Sequence, residues 1–458
     1  MQRVLASVSL PKMLDPERRS TMSLKIFQTS VVVVCSFLTA FSQDASVFRG
    51  NPQHTGVYNS AALGAIPQVK WKFHTTGFVI GSPAVSAGTI YAGSTDGNLY
   101  AIDLENGASK WKFDAKSRVV SSAAVANGLV YFTAYDGNFY AVDAGSGRLK
   151  WKFATAGERR YAGKHLHGSQ PVAEMMPDPF DFYLSSPALS NGAVFFGSGD
   201  GNVYSLNAAT GALNWKFKTG DVVHASPAIV NGTLYVGSWD SYFYALNAAT
   251  GKEKWRFKTG EDPEIHNQIG IQSSAAVVDG TVYFGCRDSN LYALNANTGQ
   301  KKWAFNNKGS WVIGSPAVKD DTVYFATSDS SLFYALNAKS GAQIFSLKFQ
   351  GWPLFSSPAI AGDMLYIGSH SGHLIAIDRT NQKVAWIFET DGSRQNGPAF
   401  TKPDGTPNYD VAFTSDFYDD IVTGVTKMMA VGTILSSPII VDSVLYFGSA
   451  DGNIYALK

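Results

Sequence analysis

The sequence predicts an all-β protein, an eight-bladed β-propeller whose blades have four strands each. A unit of about 40 residues recurs along the chain, which is the period of a propeller blade. Turn signals that contain glycine divide each unit into short β-rich runs. A spare outer strand precedes the first unit and the last unit lacks one, so the two ends together complete the ring.

One large aromatic residue lies near the end of each unit. These residues are separated by 40 to 64 positions, so insertions interrupt the basic period. We expect them to pack between neighbouring blades, because a large flat side chain on an outer strand suits that position. They are Trp71, Trp111, Trp151, Trp215, Trp255, Trp303, Phe345 and Trp386.

Tight turns are expected between the strands, which we name A to D from the inside of a blade outward. Asn-Gly and Asp-Gly accept positive φ and therefore predict type I′ hairpins, both between A and B and between B and C. The repeated Asp of the B–C turn is interpreted as a turn former. The A–B pairs are Asn127-Gly128, Asn191-Gly192, Asn231-Gly232 and Asp279-Gly280, the B–C pairs are Asp96-Gly97, Asp136-Gly137, Asp200-Gly201 and Asp451-Gly452, and Thr210-Gly211, Thr250-Gly251 and Thr298-Gly299 mark the C–D turn.

A serine, often followed by proline, marks the start of each innermost strand, where a missing N–H is tolerated. The surplus D strand, residues 69–73, is expected to complete the final blade, since closure hides sheet edges. The serines are Ser82, Ser122, Ser186, Ser226, Ser274, Ser315, Ser357 and Ser437.

The first 43 residues are predicted to carry an export signal. Residues 22–43 combine a basic start, an apolar stretch and small residues for cleavage, and residues 1–21 are interpreted as an upstream extension from a misplaced start codon. A lipid anchor at Cys35 is the alternative, although the residue before it is not small. Residues 44–68 lead into the propeller, residues 69–458. We expect a monomer in the periplasm or at the outer-membrane periphery, with no transmembrane segment after signal removal.

Composition excludes several classes of function. The formal charge is +1, so nothing indicates binding to nucleic acid. The chain has no nucleophile motif, phosphate loop or zinc-protease signature. We therefore assign no catalytic residue and no metal ligand from motifs.

Three insertions, residues 154–183, 258–272 and 387–433, lie between a D strand and the next A strand. D–A connections and B–C turns emerge on one face of a propeller, so the extra material gathers there, and long loops on a rigid scaffold are often functional. We call this the D–A face. The third insertion carries Asp404, Asp410, Asp416, Asp419 and Asp420 without calcium-loop spacing.

The first two insertions supply most of the candidate binding residues. Arg159, Arg160 and Lys164 could hold an anion, because guanidinium groups match carboxylates and phosphates. His165 and His167 suit a metal if they lie on one side of an extended segment, and are otherwise part of a solvated loop. Glu264 and His266 add further polar groups from the second insertion.

Other candidates break the repeat pattern. His224 and Gln272 precede their A strands where other blades are apolar, so they either face a ligand or hydrogen-bond a neighbouring loop. His370 and His373 replace the usual Asp-Gly of the seventh B–C turn. Trp311 and Trp352 either stack on a flat ligand or pack beneath the inserted loops.

The recurring Ser-Pro-Ala, Gly-Thr-Leu-Tyr-Val-Gly-Ser and Tyr-Ala-Leu-Asn-Ala-Ala-Thr-Gly segments resemble the pyrroloquinoline-quinone (PQQ)-like repeat over residues 69–458. That family includes quinoprotein alcohol dehydrogenases and a lipoprotein scaffold of the outer-membrane β-barrel assembly machine. The resemblance implies the fold, whereas either activity could accompany it.

The resemblance to the dehydrogenases does not extend to their chemistry. Those enzymes use a vicinal Cys-Cys ring, a calcium site and a catalytic Asp, and Cys286 stands alone here. We therefore expect a binding or protein-interaction scaffold for an envelope protein or a small molecule, on the D–A face. The alternative is a PQQ-dependent alcohol or sugar dehydrogenase with quinone in the central channel.

Overall fold

The computed structural model of this chain describes residues 44–260 and 269–458. The predicted signal segment and its upstream extension lie outside these residues, as do Glu264 and His266. Within the described ranges the chain forms eight four-stranded antiparallel sheets, the blades of a propeller, as predicted.

Each blade runs from a short strand A to an outer strand D. Strands A to D are Ala84–Ser86, Thr89–Gly93, Asn98–Asp103 and Ser109–Asp114 in blade 1; Ala124–Ala126, Leu129–Thr133, Asn138–Asp143 and Leu149–Ala154 in blade 2; Ala188–Ser190, Ala193–Gly197, Asn202–Asn207 and Leu213–Lys218 in blade 3; and Ala228–Val230, Thr233–Gly237, Tyr242–Asn247 and Glu253–Lys258 in blade 4. They are Ala276–Val278, Thr281–Gly285, Asn290–Asn295 and Lys301–Asn306 in blade 5; Ala317–Lys319, Thr322–Ala326, Leu332–Asn337 and Gln343–Lys348 in blade 6; Ala359–Ala361, Met364–Gly368, His373–Asp378 and Lys383–Glu389 in blade 7; and Ile439–Val441, Val444–Gly448, Asn453–Leu457 and Val69–His74 in blade 8.

The insertions add the remaining elements. The first forms a hairpin of Ala162–Lys164 and Met175–Pro177, and the third forms helices α1, Asp391–Phe400, and α2, Tyr418–Met429. Short 3₁₀ turns are Phe48–Gly50, Leu166–Gly168 and Tyr409–Val411, and Val57–Tyr58 adds a short parallel strand to blade 7. No helix in the described ranges has the length and apolar character to cross a membrane.

Blade 8 is built from both ends of the propeller. Val69–His74 pairs antiparallel with Asn453–Leu457, with Trp71 opposite Ala456. The Trp71 indole N–H donates to the carbonyl of Leu104 in blade 1 at 3.1 Å. The other marker tryptophans except Trp386 bond a carbonyl of the next blade in the same way, as in Trp111 to Ala144 at 3.0 Å. The predicted closure and the packing of these aromatics between blades are therefore confirmed.

The two kinds of tight turn differ in geometry. Asn127 and Gly128 both have positive φ, 51° and 75°, as a type I′ A–B turn requires. In the B–C turns the prediction of a type I′ hairpin is wrong, because Gly97 has a φ of 94° whereas Asp96 is outside the left-handed region. The Asp96 carboxylate instead accepts a hydrogen bond from the Tyr100 hydroxyl at 2.8 Å.

The inner edges of the blades are linked by the repeated serines. The Ser82 N–H donates to the Ser122 hydroxyl at 2.9 Å, and the Ser437 N–H donates to Ser82 at 2.9 Å. Seven such bonds join neighbouring blades among the described residues. The repeated serines, which lie two residues before each strand A, thus also line the central channel.

Residues 45–60 form a strap along the inner strands. Its carbonyls accept from strand-A N–H groups of successive blades, for example Ser46 from Val125 at 2.8 Å and Gln53 from Val277 at 2.9 Å. Phe48 enters the channel. The buried Arg49 donates to the carbonyl of Pro358 at 2.6 Å, so the strap is fixed to the ring.

Gly107→Ala is expected to lower the free energy of unfolding by about 2–4 kcal/mol, measured by urea titration. Gly107 has a φ of 73°, and a Cβ there would lie 2.7 Å from the Trp71 ring. Gly88→Ala is the matched control, since its φ is 70° but nothing lies within 4 Å. Equal losses in the two variants would contradict the proposed packing of Trp71 against the next blade.

Candidate functional site

The central channel is filled by the chain's own side chains. The Tyr183 hydroxyl, from the end of the first insertion, donates to the carbonyl of Leu435 at 3.1 Å. Phe48 lines the same space, and the free volume between them is about 40 Å³. The D–A face therefore carries its larger spaces beside the channel rather than in it.

His224 anchors the first insertion. Its Nδ1 lies 2.8 Å from Asp181 and its Nε2 lies 2.9 Å from Glu158, and the imidazole is fully buried. Burial alone would lower the pKa of His224, but the Asp181 and Glu158 charges overcome this effect and raise it to about 10. A charged imidazole between two carboxylates thus ties residues 158 and 181 to blade 4.

Arg287 forms a second buried anchor. Its guanidinium lies 4.3 Å from the ring centres of both Trp239 and Trp311 and donates to Asp178 at 2.6 Å. Burial alone would raise the pKa of Asp178. The Arg287 charge overcomes this effect and holds that pKa well below its usual range. Gln272 accepts from Arg287 at 3.0 Å and therefore supports this anchor.

Five residues of these two anchors were not predicted from the sequence: Glu158, Asp178, Asp181, Trp239 and Arg287. A signal for two of them is present in the repeat itself. The residue directly before the Asp of the B–C turn, or before Ser371 in blade 7, differs from blade to blade. Across blades 1 to 8 it is Thr95, Tyr135, Gly199, Trp239, Arg287, Ser328, His370 and Ala450. Such variation at one position of a regular repeat indicates a role outside the blade scaffold.

An open groove lies between blades 1 and 2, the first insertion and helix α2. It has a volume of about 780 Å³ and is lined by Arg118, Arg159 and Arg160 together with Glu158 and aromatic residues. Arg159 pairs with Asp221 at 2.7 Å. Within the described residues Arg118 is exposed and its guanidinium has no ion pair or hydrogen bond. We call this space the arginine groove.

A second space, which we call the aromatic cavity, lies on the other side of α2. Its volume is about 310 Å³. Val425 and Met429 of α2 line both this cavity and the arginine groove. The other lining residues are His167, Phe180, Trp311, Asp329, Pro353, Phe355, His370, Tyr409, Phe413 and Met428.

A sequence profile described as outer membrane protein assembly factor BamB matches residues 65–178, 173–388 and 287–458, which together span the whole propeller. The chain belongs to this family. The expected membership of the PQQ-like repeat family is confirmed. Among curated protein sequences, none matches the chain significantly.

Solved structures of a BamB protein and of two dehydrogenases share the fold of this BamB-family chain. BamB from Moraxella catarrhalis is 16% identical, with a TM-score of 0.61 over 86% of this chain and 98% of that chain. A europium-containing methanol dehydrogenase is 15% identical, with a TM-score of 0.65 over 91% and 98%. The quinohemoprotein alcohol dehydrogenase from Comamonas testosteroni is 14% identical, with a TM-score of 0.66 over 91% and 80%. At these identities the likeness shows the fold alone.

The candidate residues of the BamB-family chain fall into separate environments. Arg159 and Arg160 line the arginine groove, whereas Trp311, His370 and His167 line the aromatic cavity. Lys164 and His165 lie in and beside the exposed hairpin of the first insertion. His167 Nε2 lies 3.1 Å from Asp178.

Two aromatic or histidine candidates have structural contacts. Trp352 is buried beneath the third insertion, where its indole N–H donates to the carbonyl of Gly405 at 3.1 Å. His373 begins strand C of blade 7, 3.7 Å from Glu389. The interpretation that His370 and His373 replace Asp-Gly is wrong, because Ser371 occupies the Asp position and Gly372 keeps a φ of 76°.

Two of the five aspartates of the third insertion accept local hydrogen bonds. Asp404 accepts from the Thr406 hydroxyl at 2.6 Å, and Asp420 accepts from Ser415. In the part of the chain that the structure describes, no group of three His, Cys, Asp or Glu side chains is arranged to hold a metal ion.

His224→Ala is expected to lower the free energy of unfolding by about 3–5 kcal/mol near neutral pH, because it leaves two buried carboxylates without a cation. The pKa of His224 is raised from 6.5 to about 10 in the folded chain. The imidazolium therefore stabilises the fold fully below pH 6.5 and loses this contribution as the pH rises through 10.

Urea titrations at several pH values measure this effect. The loss of stability between neutral pH and pH 10 should be smaller in His224→Ala than in the wild type. His74→Gln is the control, because His74 is exposed and bonded only to Asn453 among the described residues. An identical pH dependence in wild type and His224→Ala would show that His224 is not charged.

Proposed function

We propose that this chain is an exported binding or protein-interaction scaffold of the periplasm or cell envelope, and that its ligand or partner binds on the D–A face. The predicted signal segment, residues 22–43, supports export. Membership of the BamB family supports a role as a scaffold. The rigid ring and the anchored first insertion support a preformed binding surface.

The main support for this proposal is the arginine groove. Three guanidinium groups converge on about 780 Å³ of open space, within the size range of ligand sites. The lining carboxylate, Glu158, is already held by His224 at 2.9 Å. Arg118 has no acidic partner among the described residues, so a carboxylate or phosphate of a ligand or partner complements it.

A PQQ-dependent oxidoreductase is the second candidate, favoured by the likeness in fold to the two dehydrogenases. The channel does not fit that cofactor. Its free volume is about 40 Å³, whereas ligand sites commonly have ~300 Å³ or more. The channel lining is mainly serine and apolar, and Cys286, buried and unpaired in the described part of the chain, offers no adjacent cysteine.

Addition of PQQ and calcium to the purified chain is expected to cause no stoichiometric change in absorbance and no dye reduction with alcohols or sugars. Absorbance titration and a dye-reduction assay measure the two effects. Stoichiometric binding together with alcohol- or sugar-dependent reduction would replace the proposed scaffold with the oxidoreductase.

Arg118→Gln is expected to weaken binding of an anionic probe by about tenfold, the loss of one charge-assisted hydrogen bond. Citrate and a fluorescent hexaglutamate peptide serve as probes, because they separate a small ligand from an acidic protein segment. Calorimetry and fluorescence anisotropy measure the affinities at low ionic strength and at physiological ionic strength.

Arg148→Gln is the matched control for this experiment. Arg148 is also exposed but lies in a C–D turn on the opposite face. If both variants bind the probes like the wild type, or if both lose affinity equally, the arginine groove is not the binding surface.

A further inference from the structure

Among the residues that the structure describes, one carboxylate lines the aromatic cavity, and it lacks the tyrosine hydrogen bond found at other turn aspartates. In blade 5 the turn Asp288 accepts from the Tyr292 hydroxyl at 2.5 Å and from the N–H of Gly260 at 2.9 Å. In blade 6 the corresponding residue is Asp329, whose hydrogen bond in the described residues comes from the Ser328 hydroxyl at 3.2 Å.

A difference in turn length explains this change. Four residues separate strands B and C in blade 5, whereas five separate them in blade 6. The extra residue moves Asp329 to five positions before Tyr334, instead of the usual four. The repeated Asp therefore loses its tyrosine partner and faces the cavity.

Asp329 forms no ion pair within the described part of the chain. Its basic neighbours, His167 in the cavity lining and Arg287, both contact Asp178, at 3.1 Å and 2.6 Å. Burial lowers the pKa of His370 to about 3, so that imidazole is neutral. Partial loss of solvation at the edge of the cavity raises the pKa of Asp329.

Apart from Asp329 and the two histidines, His167 and His370, the lining is aromatic or apolar. Trp311 and Phe355 form a stacked pair at 6.4 Å, and Phe180 meets Trp311 edge-on at 5.7 Å. Asp329 and Tyr409 are the exposed members of the lining, and Tyr409 is 41% exposed, which places the mouth of the cavity beside them. Aromatic rings with a nearby carboxylate are the usual surroundings of a bound ammonium group.

We infer that the aromatic cavity binds an organic cation, whose ammonium group pairs with Asp329 and whose apolar body lies among Trp311, Phe355 and Phe413. This inference deepens the proposed binding function and rests on it. The aromatic cavity carries a carboxylate, whereas the arginine groove carries guanidinium groups. The D–A face therefore has one site for cations and one for anions, on either side of α2.

Three probes of similar size and different charge test the charge preference: 2-phenylethylammonium, 2-phenylethanol and phenylacetate. Calorimetry with the purified chain is expected to give the ammonium ion an affinity about tenfold or more above that of the alcohol. Asp329→Asn is expected to bring the ammonium ion down to the level of the alcohol. Glu174→Gln, which removes an exposed carboxylate of the same face outside the cavity, should leave the preference unchanged.

Deletion of Ser330 provides a second variant that keeps the carboxylate. It returns the turn to the length found in blade 5, so Asp329 regains the spacing to Tyr334. This variant is expected to lose the preference for the ammonium ion as Asp329→Asn does. Thermal unfolding curves check that both variants remain folded.

Three results would overturn the inference: equal affinity for the ammonium ion and the alcohol, a preference that survives in Asp329→Asn, or no binding of the ammonium ion. Phenylacetate binding that depends on Arg118 belongs to the arginine groove. If phenylacetate binding depends on Arg118 and the ammonium ion is not preferred over the alcohol, the proposed function stands and the inference about the cavity fails.

Discussion

The antiparallel pairing of Val69–His74 with Asn453–Leu457 holds the ring closed, and the other features of the propeller depend on it. Only a closed ring brings Ser437 of blade 8 against Ser82 of blade 1, so that the serine bonds continue across the junction. The same closure places Trp71 on the glycine turn of blade 1. The junction between the two ends thus has the same serine and tryptophan hydrogen bonds as the five interfaces from blade 1 to blade 6.

The two faces of this ring have different roles. On one face the strap, residues 45–60, follows the inner strands and fixes Phe48 in the channel. On the other face, buried ion pairs centred on His224 and Arg287 hold the first insertion over the channel. Binding energy at the D–A face need not order this loop, because the ion pairs already do so.

The sequence alone predicted the repeat, the number of blades, the closing strand and the face on which insertions gather, since these follow from local turn and strand signals. It did not distinguish the B–C turn from a type I′ hairpin, because Asp-Gly suits both. The sequence also left two interpretations of His224 open, a ligand contact or a hydrogen bond to a neighbouring loop. In the structure His224 bonds two carboxylates of the first insertion, Asp181 and Glu158. Its partner Glu158 is 66 positions away, and no local pattern links such residues.

Asp329 illustrates a different limit of sequence reasoning. By type and position it matches the other turn aspartates, so the sequence predicts a turn former. One additional residue in the same turn removes the tyrosine partner and changes the environment of the carboxylate. Counting the residues between strands in each blade would have found this exception.

The composite eighth blade also has a consequence for how the chain reaches its folded state. Synthesis runs from the N-terminus, so residues 69–74 emerge long before their partner strand, residues 453–457. Until then the outer strand has no sheet to join, and its edge is open to wrong pairing. The first seven blades can form in order along the chain, whereas the eighth has to await the last strand. Folding of this propeller therefore ends with a contact between residues almost 400 positions apart, which makes that final step slow compared with the formation of a single blade.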